Sequence, residues 1–416
     1  MVPCRQFGIL SMLFGCIAEF GHAVKGDLMA QSGLSRGVIL FMAMACGMIV
    51  ANLYYTQPLL GLIGPDLHMN PRAVSLIVSL TQIGYAVGLL FLVPLGDLVE
   101  NRKLVVITVL TAIPPLLLAG LAWTGPVMLG VAFLTGLTSV AAQMLPPLAT
   151  HLTQPAARGR VVGTIISGLV VGILLSRPVA SFIAFCGSWR VVFFLSAGFM
   201  AILALLLGYF LPYRKPDSGH HYGTLLASLF KLPFRYALLR QRAACQAACF
   251  CGFSMFWTGV PLVLMHQFGF TQRGIAVFAL VGAAGALSAP VAGRLADRGH
   301  SRIATIFGLL VIVLAFGIAW AGIVWHMVLL LALGGVLLDA ATQTNLVIGQ
   351  RGLYMLAPDL RSRMNGMFMA LFFLGGAVGS AITGPILAHG GWRDLCWIGG
   401  VLPLSALAYL VMGQRD

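Results

Sequence analysis

Twelve long apolar runs alternate with short polar breaks along this chain. They fall at about 37–63, 72–95, 104–123, 126–151, 161–185, 190–211, 240–265, 274–293, 303–322, 327–350, 364–388 and 393–412. Each approaches or exceeds the ~20 apolar residues that a helix needs to cross a bilayer. The pattern predicts an all-α integral membrane protein of twelve transmembrane helices. The longest polar break, YRKPDSGHHYG with Lys231, Pro233 and Arg235 beyond it, divides six spans from six. The expected organisation is an extension over 1–35, a six-helix bundle over 36–212, a linker over 213–238 and a second six-helix bundle over 239–416. Residues 1–35 read either as an interfacial helix or as sequence upstream of a start at Met29.

Composition agrees. The 416 residues are 59% hydrophobic and 9% charged, against about 25% charged in a soluble domain. The net charge of +14 does not point to nucleic acid, because the basic residues lie in loops between apolar runs. Placing both termini in the cytoplasm leaves Arg72, Arg190, Arg273 and Arg393 outside and Arg177 within a helix. The other 20 of the 25 Lys and Arg then face inward, as membrane insertion favours. Eight Cys are scattered with no zinc-ligand spacing and read as free thiols; no metal or cofactor is expected. The nine His are dispersed, and His220-His221 reads as solvated loop.

Two of the breaks are related. Gly96–Lys103 reads GDLVENRK, and Gly293–Arg302 reads GRLADRGHSR. Each opens on Gly, has Leu two residues later and an acid four residues later, and ends in a base. Residues 158–190 and 361–393 also align without a gap, matching Arg158 with Arg361, Gly172 with Gly375 and Trp189-Arg190 with Trp392-Arg393. Internal duplication of this kind marks transporters whose substrate site lies between the halves.

The paired breaks resemble the signature loops of the major facilitator superfamily, through Gly96, Asp97, Glu100 and Arg102 in the first copy and Gly293, Asp297 and Arg298 in the second. NLYYTQPLL (52–60), LTQIGYAVGLLFLVPLGDL (80–98) and RSRMNGMFMALFFLGGAVGS (361–380) resemble a bacterial branch of drug and metabolite exporters. The resemblance implies a multi-pass carrier of the bacterial inner membrane that works by alternating access and exports small molecules in exchange for protons. It also implies that Asp97 and Glu100 bridge to Arg361 or Arg363 and lock the outward-facing state; the plainer reading is a solvated topogenic loop. We expect a monomer whose partners are a small-molecule substrate, protons and the lipid bilayer, with no nucleic acid.

Asp339 is the one acid clearly inside an apolar run. A charged carboxylate there is costly, so it reads either as a proton carrier in a cavity or as a static interhelical hydrogen-bond partner. Arg177, the one base well inside a span, either pairs with Asp339, snorkels outward or meets an anionic substrate. It interrupts a small-residue pattern (Gly168, Gly172, Ser176, Pro178) that resembles an antiporter motif. Asn52, Tyr55, Gln57, Gln82, Tyr85 and Gln143, with Gln343 and Asn345 beyond Asp339, could complete a substrate cavity or serve as interhelical glue. Pro58 and Pro146-Pro147 read as helix bends, and the two Trp-Arg pairs as helix-start caps. No clustered acid–base or nucleotide motif supports a membrane enzyme or an ATP-driven pump. A non-transporting receptor and a proton-coupled uptake permease are the other readings.

Overall fold

The computed structural model describes residues 34–154, 157–216, 221–282, 284–285, 301–356 and 360–412. Residues 1–33 of the N-terminal extension and 293–300 of the second signature loop, with Gly293, Asp297 and Arg298, lie outside the described residues. The expected spans appear as helices in chain order. They are α1 (Arg36–Ala51, resuming as Leu60–Asp66), α2 (Pro71–Phe91), α3 (Asn101–Thr111 and Ile113–Gly120) and α4 (Gly125–Thr138 and Ala141–Leu152). Next come α5 (Arg158–Cys186), α6 (Trp189–Phe210), α7 (Ala237–Phe268) and α8 (Gln272–Gly282). The last four are α9 (Ser301–Val324), α10 (Val328–Leu356), α11 (Arg361–His389) and α12 (Gly391–Met412). Among the described residues, ten of these spans are long and apolar enough to cross a membrane, and the described parts of α1 and α8 are shorter apolar helices.

Proline explains most departures from continuous helices, because it removes one backbone donor and crowds the preceding turn. The first span is not merely bent at Pro58. Residues 52–56 are a turn, followed by a 3-10 turn at Gln57–Leu59. Pro114 and Pro115 accompany the break in α3, which the apolar run did not announce. In α4 the prolines sit inside a helical piece, and the interruption comes earlier, at Ser139 and Val140. The carbonyl of Ala142, four residues before Pro146, accepts instead from the Cys46 thiol at 3.2 Å.

The internal repeat is visible in lengths. α5 and α11 each have 29 residues, and α6 and α12 each have 22. The polar linker also folds. Tyr222–Arg235 is a helix that buries Leu225, Leu229 and Leu232, and exposed His221 precedes its first turn. Ser188 caps α6, accepting from the amide of Arg190, so Trp189 is not the cap. Instead Trp189 donates its indole NH to Asp66 at 3.0 Å, and Arg190 pairs with the same carboxylate. That pairing holds the Asp66 carboxyl below its ordinary range. Buried Trp392 likewise ties α12 to the carbonyl of Ala319 on α9.

Close helix contacts need small residues. On α1, a Cβ added to Gly47 would lie 2.6 Å from the carbonyl oxygen of Gly168 on α5, and Gly172 presses on Gly47 in turn. The repeat reproduces this seam: Gly375 of α11 meets Ala247 of α7, where an added Cβ would come within 2.6 Å of a backbone oxygen. Gly172→Val is therefore expected to destabilise the protein by about 2 kcal/mol or more. Gly163→Ala, on the same helix but facing open space, is expected to be neutral or slightly stabilising. Thermal unfolding in detergent compares the two.

Candidate substrate and proton site

The seam between α1 and α5 ends at an arginine. One turn past Gly172, α5 becomes buried at Ser176, Arg177 and Pro178, so Arg177 points into protein rather than snorkelling outward. Its side chain is 3% exposed. The Nε donates to Gln57 Oε1 at 2.7 Å, in the 3-10 turn that breaks the first span. Three aromatic rings surround the guanidinium, Trp257 at 4.4 Å and Tyr54 and Phe253 at 5.1 Å. A delocalised cation over ring faces is favourable, more so when desolvated. The Nη2 has no hydrogen-bond partner within the chain. Leaving such a donor dry costs about 1–3 kcal/mol.

The acid lies on the other side of Trp257. Asp339 of α10 is 3% exposed, and its Oδ1 accepts from the Trp257 indole NH at 2.7 Å. Arg177 and Asp339 therefore do not meet in a direct ion pair; one tryptophan touches both, ring face to the cation and NH to the anion. Arg177 comes from the first six spans, whereas Trp257 and Asp339 come from the last six. A small apolar pocket adjoins the trio, lined by Pro58, Arg177, Trp257, Val260, Pro261, Leu264, Ile275, Phe278 and Ala279.

The other polar candidates are distributed between α1, α2, α4 and α10. Asn52 accepts from Ser196 of α6 through Oδ1, leaving Nδ2 unpartnered, and Tyr55 beside it is partly buried. Gln57 also has a free Nε2. Gln82 donates to Ser254 of α7 at 2.9 Å, joining the two sets of spans, and its Oε1 is free. Tyr85 is fully buried with its ring 4.6 Å from Phe373 of α11, and Gln143 lies beside it. Gln343 is half-buried one turn from Asp339. Asn345 donates to the Cys249 sulfur at 3.5 Å and leaves its Oδ1 free, near the equally unpartnered Gln246 Oε1 and Thr342 Oγ1 of the α7–α10 contact. Among the described residues, no group of His, Cys, Asp and Glu could hold a metal. Of the described Cys, Cys186 is exposed and the others are buried.

The first signature loop divides its acids. Glu100 caps α3, accepting from the amides of Arg102 at 2.9 Å and Lys103 at 3.0 Å; the side chain of Arg361, one of the two bases expected to meet it, lies outside the described residues. Asp97 does face α11, with its carboxylate 4.0 Å from Arg363 Nε. Asn101 closes the loop by donating to the carbonyl of Gly96 at 2.9 Å, and Arg102 lies over the Tyr213 ring. At the opposite ends of the same two helices Arg72 bonds His389 at 3.3 Å, and between them Ser79 bonds Ser380 at 2.9 Å. α2 and α11 are thus joined along their whole length.

Residues 37–348 match the Major Facilitator Superfamily. The chain is 42% identical over 376 residues to the uncharacterized transporter YgaY of Escherichia coli O157:H7, covering 90% of this chain and 95% of that protein. It is 31% identical over 391 residues to the "Probable transporter SCO4007" of Streptomyces coelicolor, covering 92% and 87%. The chain belongs to the major facilitator superfamily. The nucleoside transporter NupG shares its fold at a TM-score of 0.70 and 14% identity, covering 91% of this chain and all of that one. A D-xylose–proton symporter does so at 0.69 and 15%, covering 90% and 96%. As a superfamily member the chain is a multi-pass membrane protein, and its family and relatives are transporters.

Within this major facilitator fold the residues that sequence reasoning missed are aromatic. Trp257, Phe253 and Tyr54 were not among the candidates, and nothing local separates Trp257 from the other six Trp. The nearest signal was their position on the spans bearing Pro58 and Pro261. Trp257→Phe keeps a ring against Arg177 but leaves Asp339 without its donor. It is expected to destabilise the protein by about 1–3 kcal/mol, read as a lower unfolding midpoint in detergent. An unchanged midpoint would show that the indole NH does not hold the acid.

Proposed function

We propose that this superfamily member is a proton-coupled carrier that exports a small organic metabolite or drug-like compound, with Asp339 taking up and releasing the proton. The observation that carries the reading is the Arg177–Trp257–Asp339 unit, a buried acid and base held by one indole across the two sets of spans. A buried carboxylate whose counter-charge lies on the other bundle changes its environment whenever the bundles separate. Its proton affinity then changes with the transport cycle, which is what coupling requires.

Export is supported by the glycine seam between α1 and α5, which has the close approach that the antiporter-like pattern implies. Proton-coupled uptake is the second reading, and Arg177 favours it by standing within that pattern. The remaining polar candidates (Asn52, Tyr55, Gln57, Gln82, Tyr85, Gln143, Gln343 and Asn345) form the cavity wall in this reading, and Asp97 with Arg363 acts as a latch between α2 and α11. With both termini in the cytoplasm, the latch is on the inner face and the Arg72–His389 contact on the outer one. Two six-helix bundles over 36–212 and 239–416 move as the rocking units, in a single chain.

Comparing metabolites inside and outside cells that lack or overproduce the protein should reveal a compound that accumulates externally with overproduction. In proteoliposomes, Asp339→Asn is expected to retain binding of that compound while its flux becomes indifferent to an imposed pH gradient. Gradient-driven flux equal to that of the wild type would refute the role of Asp339.

A further inference from the structure

The linker helix has two apolar faces, and the fold covers only one of them. Tyr222–Arg235 buries Leu225, Leu229 and Leu232 against the protein, at the spacing of a single helical face. On the other side Phe230 is 44% exposed and Phe234 is 85% exposed. They are four residues apart, so their rings are neighbours on the helix surface. Lys231 and Arg235 are also exposed and also four apart, which sets a ridge of two bases beside the ridge of two rings. The sequence holds no Asp or Glu between 218 and 296. Among the described residues, neither base is held in an ion pair. Arg240 adds a third positive charge at the helix end, donating from Nη1 to the carbonyls of Pro233 at 2.8 Å and Phe234 at 3.2 Å.

Two contacts fix the level at which this face lies. The Tyr222 hydroxyl donates to the carbonyl of Phe91 at 2.7 Å, and the Phe230 ring stands 6.2 Å from that of Phe91. Phe91 is itself exposed and is the last residue of α2, within the apolar stretch Pro71–Asp97 that is long enough to cross a bilayer. The helix therefore rests where a span leaves the membrane, and Phe234 continues the same ridge one turn further on. A phenylalanine ring left in water forgoes about 1.5–3 kcal/mol of burial free energy. Rings and bases side by side on one helix face are what the boundary between headgroups and acyl chains accommodates.

We propose that this face docks on the bilayer. Phe230 and Phe234 enter the headgroup boundary, while Lys231, Arg235 and Arg240 engage the phosphates of anionic phospholipids. The contact of Phe230 with Phe91 makes the face continuous with the lipid-covered surface of α2, which favours a lipid over a protein as its occupant. The bases select anionic headgroups, because a zwitterionic surface offers no net charge to meet them. With both termini in the cytoplasm, the leaflet concerned is the inner one. This anchoring goes beyond the carrier reading and is independent of the substrate, of the direction of transport and of Asp339.

Hydrogen exchange of the full chain tests it, in nanodiscs of phosphatidylcholine alone and of phosphatidylcholine mixed with an equal share of phosphatidylglycerol. The amides of Tyr222–Arg235 are expected to exchange about tenfold or more slowly in the mixed discs, as two or three bases at an anionic surface provide. Amides of α7 and α10 should exchange alike in both and serve as the internal reference. The double variant Lys231→Gln/Arg235→Gln is expected to lose most of the difference between the discs, and added salt to reduce it in the wild type. Phe234→Ser should exchange faster than the wild type in both discs. An unfolding midpoint for each variant separates lost docking from lost structure. Equal exchange of the linker helix in the two discs, or a difference that survives intact in the double variant, would overturn the assignment. Fast exchange in both discs, unaltered by Phe234→Ser, would show the face to be free of lipid and open to a protein partner instead.

Discussion

An arginine placed deep in a membrane-spanning helix is tolerated only where the protein supplies what water would have supplied. For Arg177 that supply comes from three places: an amide oxygen on α1, the faces of three aromatic rings, and the field of an acid on α10. Two of the three rings and the acid come from the last six spans. The charge is thus fully compensated only when the two sets of spans are together, so their contact and the buried cation support each other. Either one alone would be costly, since an uncompensated buried charge costs several kcal/mol.

Close packing makes this possible. Gly47, Gly168 and Gly172 bring α1 and α5 into backbone contact, which sets the Gln57 turn beside Arg177. The break at residues 52–59 leaves polar atoms of Asn52, Thr56 and Gln57 inside the protein without partners. Irregular backbone at membrane depth is tolerated where it lines a cavity or is buried in protein. α2 and α11 close the opposite seam with hydroxyls and two exposed charged contacts, Arg72 with His389 and Asp97 with Arg363. Surface contacts of that kind are weak, as suits a seam that has to part during transport.

Much of this was legible in the residues. Apolar run length predicted the spans, because a bilayer demands a fixed number of apolar residues. The repeat of residues 158–190 at 361–393 reappears as two helices of equal length. Asp339 and Arg177 could be singled out because charge in an apolar run always needs a partner. The partner itself was not legible: they were expected either to pair directly or to act apart, and Trp257 joins them instead. An indole has no charge and looks like packing in any apolar sequence. Glu100 has a further use that the sequence reading did not include. A loop acid next to a helix start has a cheaper local use, capping its own helix, than reaching across to another.

A double-mutant cycle tests most directly whether the base and the acid form one unit. Unfolding free energies would be measured in detergent for the wild type, Arg177→Gln, Asp339→Asn and the double variant. If Trp257 couples the two charges, the double variant loses less than the sum of the single losses, by about 0.5–3 kcal/mol. Losses that add to within about 0.5 kcal/mol would show that Arg177 and Asp339 are independent, and would contradict the view that Trp257 joins them into one unit.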